Sequence, residues 1–259
     1  MRIISLSVDG IHQASQRGLF DWLAAQDADV ICLQDIRALE SELDDEIFHP
    51  QGYFAYFFDS GIKHYSGVAI YTRHQPKALI YGLGFSSRID MEGRYLQIDY
   101  QHHSIGSLLA PAGMHATESL DDKIRFYDDL QALIHKITRK RRNFIFCGNW
   151  AMAHTQKDVR NWKNHIGDTG FLPHEQQWLN QTFKQVGYSD AFRLANNDSD
   201  EFSWWPSNTP NTGDGWRTDF HIISDALKKS VEYATIYKSR QFSSHLPVVI
   251  DYDIKPDNL

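Results

Sequence analysis

The side chains of this sequence that can do chemistry are gathered in five short motifs. In chain order the motifs are SLSVDGI at 5–11, ICLQDIR at 31–37, YSGVAIY at 65–71, CGNWAMA at 147–153 and SSHLPV at 243–248. Each motif adjoins a short apolar run of the kind that forms a buried strand, and each adds hydroxyl, amide, carboxylate or imidazole groups. These groups can therefore act together only if the strands bring distant parts of the chain into one place.

Cysteine and histidine do not point to a zinc site. Cys32 and Cys147 stand in apolar runs, so we predict buried free thiols and exclude a disulfide framework or a cysteine-rich metal site. The 13 histidines are scattered. Along a helix, His154 and His165 would lie roughly 16 Å apart, too far to share one ion. We therefore expect no resident metal and no cofactor.

One dense basic run, Arg139-Lys140-Arg141-Arg142, follows a predicted helix at 120–138. Cations at the C-terminus of a helix are favoured by the helix dipole. Four basic residues in succession are more than a helix cap requires, and they stand out in a chain whose net charge is −7. Two interpretations stay open, a helix cap and a contact with RNA phosphates or with an acidic partner.

The segment 156–165 offers a second candidate surface, because an aromatic residue stands there among basic residues. Its candidate partner-binding residues are Arg160, Trp162 and Lys163. Tryptophan and arginine are enriched among binding anchors, although packing of a tryptophan on its own core is commoner.

Composition bounds the class of protein. The chain has 259 residues, of which 42% are hydrophobic and 23% charged, and we predict one globular domain over 1–259. Because the 26 basic residues are outnumbered by 33 acidic ones, a surface that grips nucleic acid everywhere is excluded. No apolar stretch approaches the ~20 residues that span a bilayer, and no targeting segment is visible. We therefore expect a cytoplasmic protein without membrane contact.

Short strands alternate with helical patterns along the whole chain. We predict helices over 13–26, 120–138, 156–165 and 174–186. We predict strands over 2–7, 29–33, 53–58, 67–72, 77–81, 94–100, 104–109, 143–147, 220–224, 230–236 and 247–254. This alternation indicates one α/β domain of largely antiparallel character with two sheets flanked by helices.

The five motifs, with others between them, resemble the exonuclease III type of apurinic/apyrimidinic endonuclease in the endonuclease/exonuclease/phosphatase superfamily. The intervening motifs are GRYLQID at 93–99, GFLPHEQQW at 170–178, DEFSWW at 200–205 and GWRTDFHIIS at 215–224. The resemblance covers almost the whole chain and implies a four-layer α/β sandwich of two mixed β-sheets flanked by helices. In active members it implies a Mg²⁺ ion held by oxygen ligands, an Asp that activates water, and a His against the scissile phosphate.

This chain departs from the active family at most of those positions. The family's catalytic or metal-side groups are replaced by Ser7, Leu109 (or its neighbour Ala110), Asn149, Ala151 and Ser244. Asn149 cannot accept a proton from water at neutral pH, and loss of a general base costs ~10²–10⁴ in rate. We therefore expect a nuclease fold with a degenerate site and no enzymatic activity.

A few groups of the site survive. His245 and the Asp219 that would orient it are kept, and Asp35 stands where the family has a Glu that is one methylene longer. With Asn149, these residues form the vestigial set. Trp204 and Trp205 resemble the segment that lines the abasic-site pocket, although packing is the commoner role of a tryptophan.

The pattern of losses resembles one subgroup of this fold, the bacterial catabolite repression control proteins. Supporting stretches include ADVICLQDIRA, KRRNFIFCGN and FSSHLPVVIDYD. That resemblance implies a non-enzymatic translational co-repressor in carbon catabolite repression. It implies that the protein acts with the RNA chaperone Hfq on A-rich mRNA and binds RNA weakly or not at all by itself. The alternative of a different class is a Mg²⁺-dependent exonuclease III-type endonuclease or phosphodiesterase in DNA repair.

Overall fold

Two six-stranded β-sheets form the centre of the computed structural model, which describes residues 1–85, 88–114, 118–140, 142–207 and 212–255. The first sheet has the strand order β11-β12-β1-β2-β4-β3. Its strands are β1 (Arg2–Ser7), β2 (Val30–Gln34), β3 (Phe54–Phe58), β4 (Val68–Thr72), β11 (Val231–Ile236) and β12 (Val248–Tyr252). Only β1 and β2 run parallel in it.

The second sheet has the strand order β5-β6-β7-β8-β10-β9. Its strands are β5 (Ala78–Tyr81), β6 (Tyr95–Asp99), β7 (His103–Leu109), β8 (Asn143–Asn149), β9 (Tyr188–Asp190) and β10 (Asp219–Ser224). Here β7 and β8 are the parallel pair. Both sheets are therefore mixed, as the resemblance implied.

The sheets pack face to face, and their inner faces share one apolar core. Ile70 and Cys32 of the first sheet meet Ile98, Ile145 and Cys147 of the second. Both cysteines are buried free thiols, as predicted. Burial of such side chains contributes about 1.5–3 kcal/mol each, so this inner core holds the two sheets together.

Helices cover the outer faces and complete four layers. The short helices α1 (Ile11–Gln16) and α2 (Leu19–Ala24) cover the first sheet, and α3 (Leu120–Ile137) and α4 (Pro173–Gln181) cover the second. A fifth helix, α5 (Ala191–Ala195), packs on β10 and β11. The predicted four-layer α/β sandwich is confirmed.

The start of α3 shows how local sequence sets an element. The hydroxyl of Ser119 accepts a hydrogen bond from the backbone N–H of Asp122, and the Asp122 carboxylate accepts one from the backbone N–H of Ser119. This reciprocal capping satisfies two backbone donors that the helix leaves free. The buried face of α3, which includes Phe126, Leu130 and Ile134, follows the predicted spacing of three and four.

Two predicted helices differ from the structure. The helix predicted over 13–26 is split into α1 and α2 at Gly18, whose φ of 80° lies in the left-handed region. The segment 156–165 forms two 3₁₀ turns, Gln156–Asp158 and Trp162–His165, instead of a helix. Asn161, between the turns, has a φ of 52°, which no α-helix admits.

None of the helices in the described part of the chain is long and apolar enough to cross a membrane. The cytoplasmic location and the single domain over 1–259 stay predictions.

Candidate functional site

Strand register brings the predicted site residues together at one end of the sandwich. In the first sheet Ser7 is paired with Gln34, at the carboxyl ends of the parallel strands β1 and β2. In the second sheet Asn149 is paired both with Leu109 and with Asp219. The carboxyl ends of parallel strands are the usual place for a binding site in open α/β sheets.

A cleft of about 600 Å³ opens at this end. Seven of the sequence-predicted residues line it, namely Ser7, Asp35, Leu109, Asn149, Ala151, Ser244 and His245. Asp219 lies beneath it, in contact with His245. The structure therefore assembles the whole vestigial set in one place, including the positions where the family's groups are replaced.

His245 is held in a fixed orientation under one wall of the cleft. Its Nδ1 atom lies 2.9 Å from Oδ2 of Asp219, and the same oxygen accepts a 2.6 Å hydrogen bond from the hydroxyl of Ser203. Burial disfavours the charged ring, but the carboxylates of Asp219, Asp9 and Asp35 outweigh it and raise the pKa of His245. The ring of His245 is therefore protonated more readily than the ring of a free histidine.

Arg37 connects two acids of the cleft, and sequence reasoning missed it. Its Nη2 atom lies 2.6 Å from Oδ2 of Asp35 and 3.7 Å from Oδ1 of Asp9. The other carboxylate oxygen of Asp9 accepts a 2.7 Å hydrogen bond from the backbone N–H of Ser244. The only signal in the sequence was a basic residue two positions after Asp35, in the motif ICLQDIR.

The two acids differ in how readily they ionise. Burial raises the pKa of Asp35, and Arg37 offsets that rise only in part. Burial also opposes ionisation of Asp9, but His245, the Ser244 N–H and Arg37 together lower the pKa of Asp9. Asp9 is therefore the more firmly ionised of the pair.

Asn149 lines the cleft but cannot act as a general base. Its side-chain oxygen accepts a 2.8 Å hydrogen bond from the backbone N–H of Ala151. A neutral amide has no basic site at neutral pH, so it cannot take a proton from water. Beside Asn149, on the neighbouring strand, Leu109 presents an apolar surface to the cleft in place of a tyrosine hydroxyl.

The backbone around the cleft is strained. Nine non-glycine residues in the described segments have positive φ angles, and six of these line the cleft. The six are Asp9, Asp35, Arg37, His64, Ser66 and Ala151. Left-handed conformations of this kind cost of order 1–3 kcal/mol each and cluster at functional sites. The backbone of the fold therefore shapes the cleft, although several of its side chains differ from those of active family members.

The side chains present do not fit the Mg²⁺ ion that the family implies. Asp35 and Asp9 are both engaged by Arg37, and Ser244 carries a hydroxyl where the family has a carboxylate. In the described residues, no three or more His, Cys, Asp and Glu side chains form a group that could hold a metal ion. Mg²⁺ is held by carboxylate and water oxygens, and here the guanidinium of Arg37 already engages the two carboxylates that could supply them.

The described residues of the basic run, Arg139, Lys140 and Arg142, lie away from the cleft. The run precedes β8, whose opposite end carries Asn149, so about 20 Å of strand separates the two. Arg139 and Lys140 are exposed, and Arg141 lies outside the described residues. Arg142 donates to the carbonyl oxygens of Tyr100 and His103, at 2.8 and 3.3 Å. Arg142 therefore has a structural role at the turn between β6 and β7, and its contact with a partner stays a prediction.

The second predicted surface borders the cleft. Arg160 lies 3.2 Å from the carboxylate of Asp200 and over the ring of Phe202. Trp162 is half-buried, packed in a small cluster that includes Trp216, and Lys163 is exposed. Since Trp216 also lines the cleft, these turns support its rim.

The two adjacent tryptophans have different places. Trp205 is buried in the inner core, as packing would require. Trp204 lines the cleft, where its ring lies parallel to that of His245 within 30°, at a centroid distance of 6.1 Å. The resemblance to a pocket-lining segment therefore applies to Trp204.

Sequence reasoning also missed a buried network of ion pairs beside the cleft, centred on Arg94. Arg94, with a side chain only 2% exposed, contacts Glu118 at 2.5 Å and Glu92 at 3.3 Å. It also donates to the hydroxyl of Tyr65. A buried pair of this kind is costly to break, so it fixes the loop that carries Glu118 beside the cleft.

Two curated relatives match this chain over almost its whole length. An exodeoxyribonuclease of Bacillus subtilis is 28% identical over 258 residues, covering 98% of this chain and 100% of the relative. A DNA-(apurinic or apyrimidinic site) endonuclease of Dictyostelium discoideum is 27% identical over 260 residues, covering 98% of this chain and 71% of the relative.

Solved structures agree on the fold. An AP endonuclease from Archaeoglobus fulgidus superposes with a TM-score of 0.86 at 20% identity, covering 98% of this chain and all of the other. A 3'-5' exonuclease from Neisseria meningitidis gives 0.84 at 17% identity, with the same coverage.

These relatives contradict the prediction of a translational co-repressor. Each carries the name of a nuclease, and none is named for repression. The prediction was based on the resemblance to the subgroup. It gave more weight to the lost side chains than to the similarity that spans the whole chain. As the main interpretation it is wrong.

The family itself follows from a comparison with family profiles. The profile of the Endonuclease/Exonuclease/phosphatase family matches residues 8–236, which include four of the five motifs completely or in most of their length. Together with the four-layer sandwich and the cleft at its strand ends, this match shows that the chain belongs to the Endonuclease/Exonuclease/phosphatase family.

Proposed function

We propose that this protein binds a phosphodiester of DNA in the cleft and does not hydrolyse it efficiently. One observation carries the binding: a single cleft presents the guanidinium of Arg37 and the imidazole of His245, whose pKa is raised. Cationic hydrogen-bond donors of this kind are suited to phosphate oxygens. The names of the relatives support DNA as the nucleic acid.

The proposal of little or no hydrolysis is supported by the group at position 149. An amide, already hydrogen-bonded to the Ala151 N–H, stands where the family activates water. Loss of a general base costs ~10²–10⁴ in rate. The absence of a fitting metal site removes further stabilisation of the leaving oxygen.

A second candidate function is Mg²⁺-dependent cleavage of DNA. The observation that favours it is the naming of the relatives as exodeoxyribonuclease and AP endonuclease. It requires that oxygens of the substrate phosphate complete the coordination of the metal ion, because the side chains alone do not supply enough ligands.

One pair of measurements separates the two candidates. A fluorescent duplex with one abasic-site analogue is titrated with the protein in EDTA, and anisotropy reports binding. The same duplex with a natural abasic site is then incubated with Mg²⁺ or Mn²⁺, with the DNA-(apurinic or apyrimidinic site) endonuclease of Dictyostelium discoideum as a positive control. We expect binding in EDTA and no cleavage above a metal-only blank. Cleavage near the rate of the control would replace our proposal by the second candidate.

The finer resemblance to the catabolite repression control subgroup, and the predicted partners Hfq and A-rich mRNA, are tested by none of these observations and stay predictions. A pull-down from extract with and without RNase tests the partners. Retention of Hfq that RNase abolishes is the result those predictions require.

A further inference from the structure

We infer that Arg37 is a built-in cation that takes the electrostatic place of a divalent metal in this cleft. The inference deepens the proposed function and rests on it, because a phosphodiester that enters the cleft would meet a fixed positive charge instead of a bound ion. It accounts for the position of one guanidinium between the two carboxylates of Asp9 and Asp35.

The position of Arg37 is set by the backbone. Its N–H donates to the carbonyl of Ser66 at 2.8 Å, and the N–H of Ile36 donates to the carbonyl of Gly67 at 3.0 Å. A Cβ at Gly67 would lie 2.6 Å from Cγ1 of Ile36, so only glycine permits this approach. These bonds hold Arg37 at a φ of 50°, and its place is therefore a property of the fold.

The guanidinium occupies the point between the acids. One nitrogen, Nη2, faces a carboxylate oxygen of each acid, at 2.6 Å for Asp35 and 3.7 Å for Asp9. The acids come from different strand ends, after β1 and after β2. A metal ion bound to both carboxylates would have to displace this nitrogen, and a guanidinium cannot lose its charge by deprotonation at physiological pH.

An ordinary surface ion pair is the competing interpretation. The side chain of Arg37 is 44% exposed, and exposed pairs contribute only about 0–1 kcal/mol. Two features argue against that interpretation. Arg37 meets two acids from separate strands, and Asp9, Asp35 and Arg37 all have positive φ angles. A surface pair needs no such strain.

The inference predicts that removal of the positive charge uncovers affinity for a divalent cation. Mg²⁺ is often held by only one or two carboxylates and water, and Asp9 with Asp35 would provide that set once Arg37 is neutral. Mn²⁺, a spectroscopic substitute for Mg²⁺, is titrated into wild type, Arg37→Gln and Arg37→Lys without nucleic acid, and electron paramagnetic resonance reports the free ion. We expect at least about tenfold tighter binding to Arg37→Gln than to wild type, and no gain for Arg37→Lys.

The double variant Arg37→Gln with Asp35→Asn is the matched control, and it should lose the gain. A second measurement uses wild type alone, so that the test survives a variant that does not fold. The Nε–H resonance of Arg37 is followed by NMR while MgCl₂ is added, and we expect no displacement of it. Equal Mn²⁺ affinity of wild type and folded Arg37→Gln, or Mg²⁺-dependent displacement of Arg37, would overturn the inference. Because no DNA is present, either result is separate from failure of DNA binding.

Discussion

The carboxylate of Asp219 lies 2.9 Å from the ring of His245 and contributes the largest of the interactions that raise the pKa of that ring. Asp219 is 2% exposed and is itself fixed by the hydroxyl of Ser203. Burial alone would favour the neutral ring. The raised pKa of His245 thus depends mainly on this one pair, with a smaller contribution from Asp9 and Asp35.

Replacement of Asp219 by Asn should lower the pKa of His245, because the amide keeps the shape of the carboxylate without its charge. The variant should lose DNA affinity at a lower pH than wild type. At neutral pH we expect a loss of about tenfold, the equivalent of one charge-assisted hydrogen bond. NMR titration of His245 and anisotropy from pH 5 to 9 measure the two effects. An unchanged pKa would show that Asp219 does not control the ring.

Replacement of Asn149 by Asp should not restore a nuclease. The new carboxylate would still lie beside Ser7, Leu109, Ala151 and Ser244, none of which supplies a metal ligand or a phosphate contact of the family. We expect cleavage of abasic DNA to stay within about tenfold of the metal-only blank, because groups that act as a unit are not restored singly. A rise of several orders of magnitude in a gel assay would show that this one residue accounts for the loss.

His221 should make the fold sensitive to acid. It is fully buried, and burial lowers its pKa to about 3. A histidine that is neutral in the fold and charges more readily in the unfolded chain stabilises the fold above its unfolded pKa. That stability is lost as the pH falls from about 6.5 towards 3, with a slope of up to ~1.4 kcal/mol per pH unit.

The matched variant is His221→Phe, whose ring can keep the stacking against Tyr252. Urea unfolding at several values between pH 4 and 7 should give a shallower pH dependence for the variant than for wild type. Parallel curves for the two proteins would exclude His221 as the source of the acid sensitivity.

His165 should stabilise the rim of the cleft at low pH. Its Nδ1 faces Asp168 at 2.8 Å and its Nε2 faces Asp214 at 2.9 Å. Both bonds need a ring that is protonated on both nitrogens. Burial lowers the pKa of His165, but the two carboxylates outweigh it and raise that pKa.

The stability from His165 is fully present below its unfolded pKa and is lost as the pH rises through the higher pKa of the folded state. His165→Gln should therefore cost about 0.5–1 kcal/mol at pH 5.5 and less at pH 9, as expected for a partly exposed pair. Chemical unfolding at both pH values measures this. An equal replacement of the exposed His135 on α3 is the control and should show no such difference.

The family resemblance predicted that Asn149, Asp219 and His245 belong to one site, and it predicted that Asp219 orients His245. It did not predict the contacts of Arg37 with Asp35 and Asp9. The role of Arg37 depends on positive φ angles at Asp35 and at Arg37 itself. Non-glycine residues in that conformation carry no clear signal in a sequence.

The segment 156–165 shows how tertiary contacts override a local pattern. Its apolar spacing favoured a helix, yet the N–H of Arg160 donates to the carbonyl of Gly215 at 2.9 Å, and Val159 forms a bridge with Trp216. These partners lie more than 50 residues away in the chain. Helix propensity is a weak preference, which such backbone bonds outweigh.

The central claim is that the cleft binds a phosphodiester of DNA without a metal and without cutting it. The most direct test is anisotropy of an abasic duplex in EDTA, compared between wild type and the variant Arg37→Gln with His245→Gln, followed by incubation of the wild-type complex with Mg²⁺. Our account predicts saturable binding in EDTA, at least about tenfold weaker binding by the variant, and intact DNA after Mg²⁺ is added. Binding that is equal in the two proteins, or cleaved DNA on addition of Mg²⁺, would contradict it.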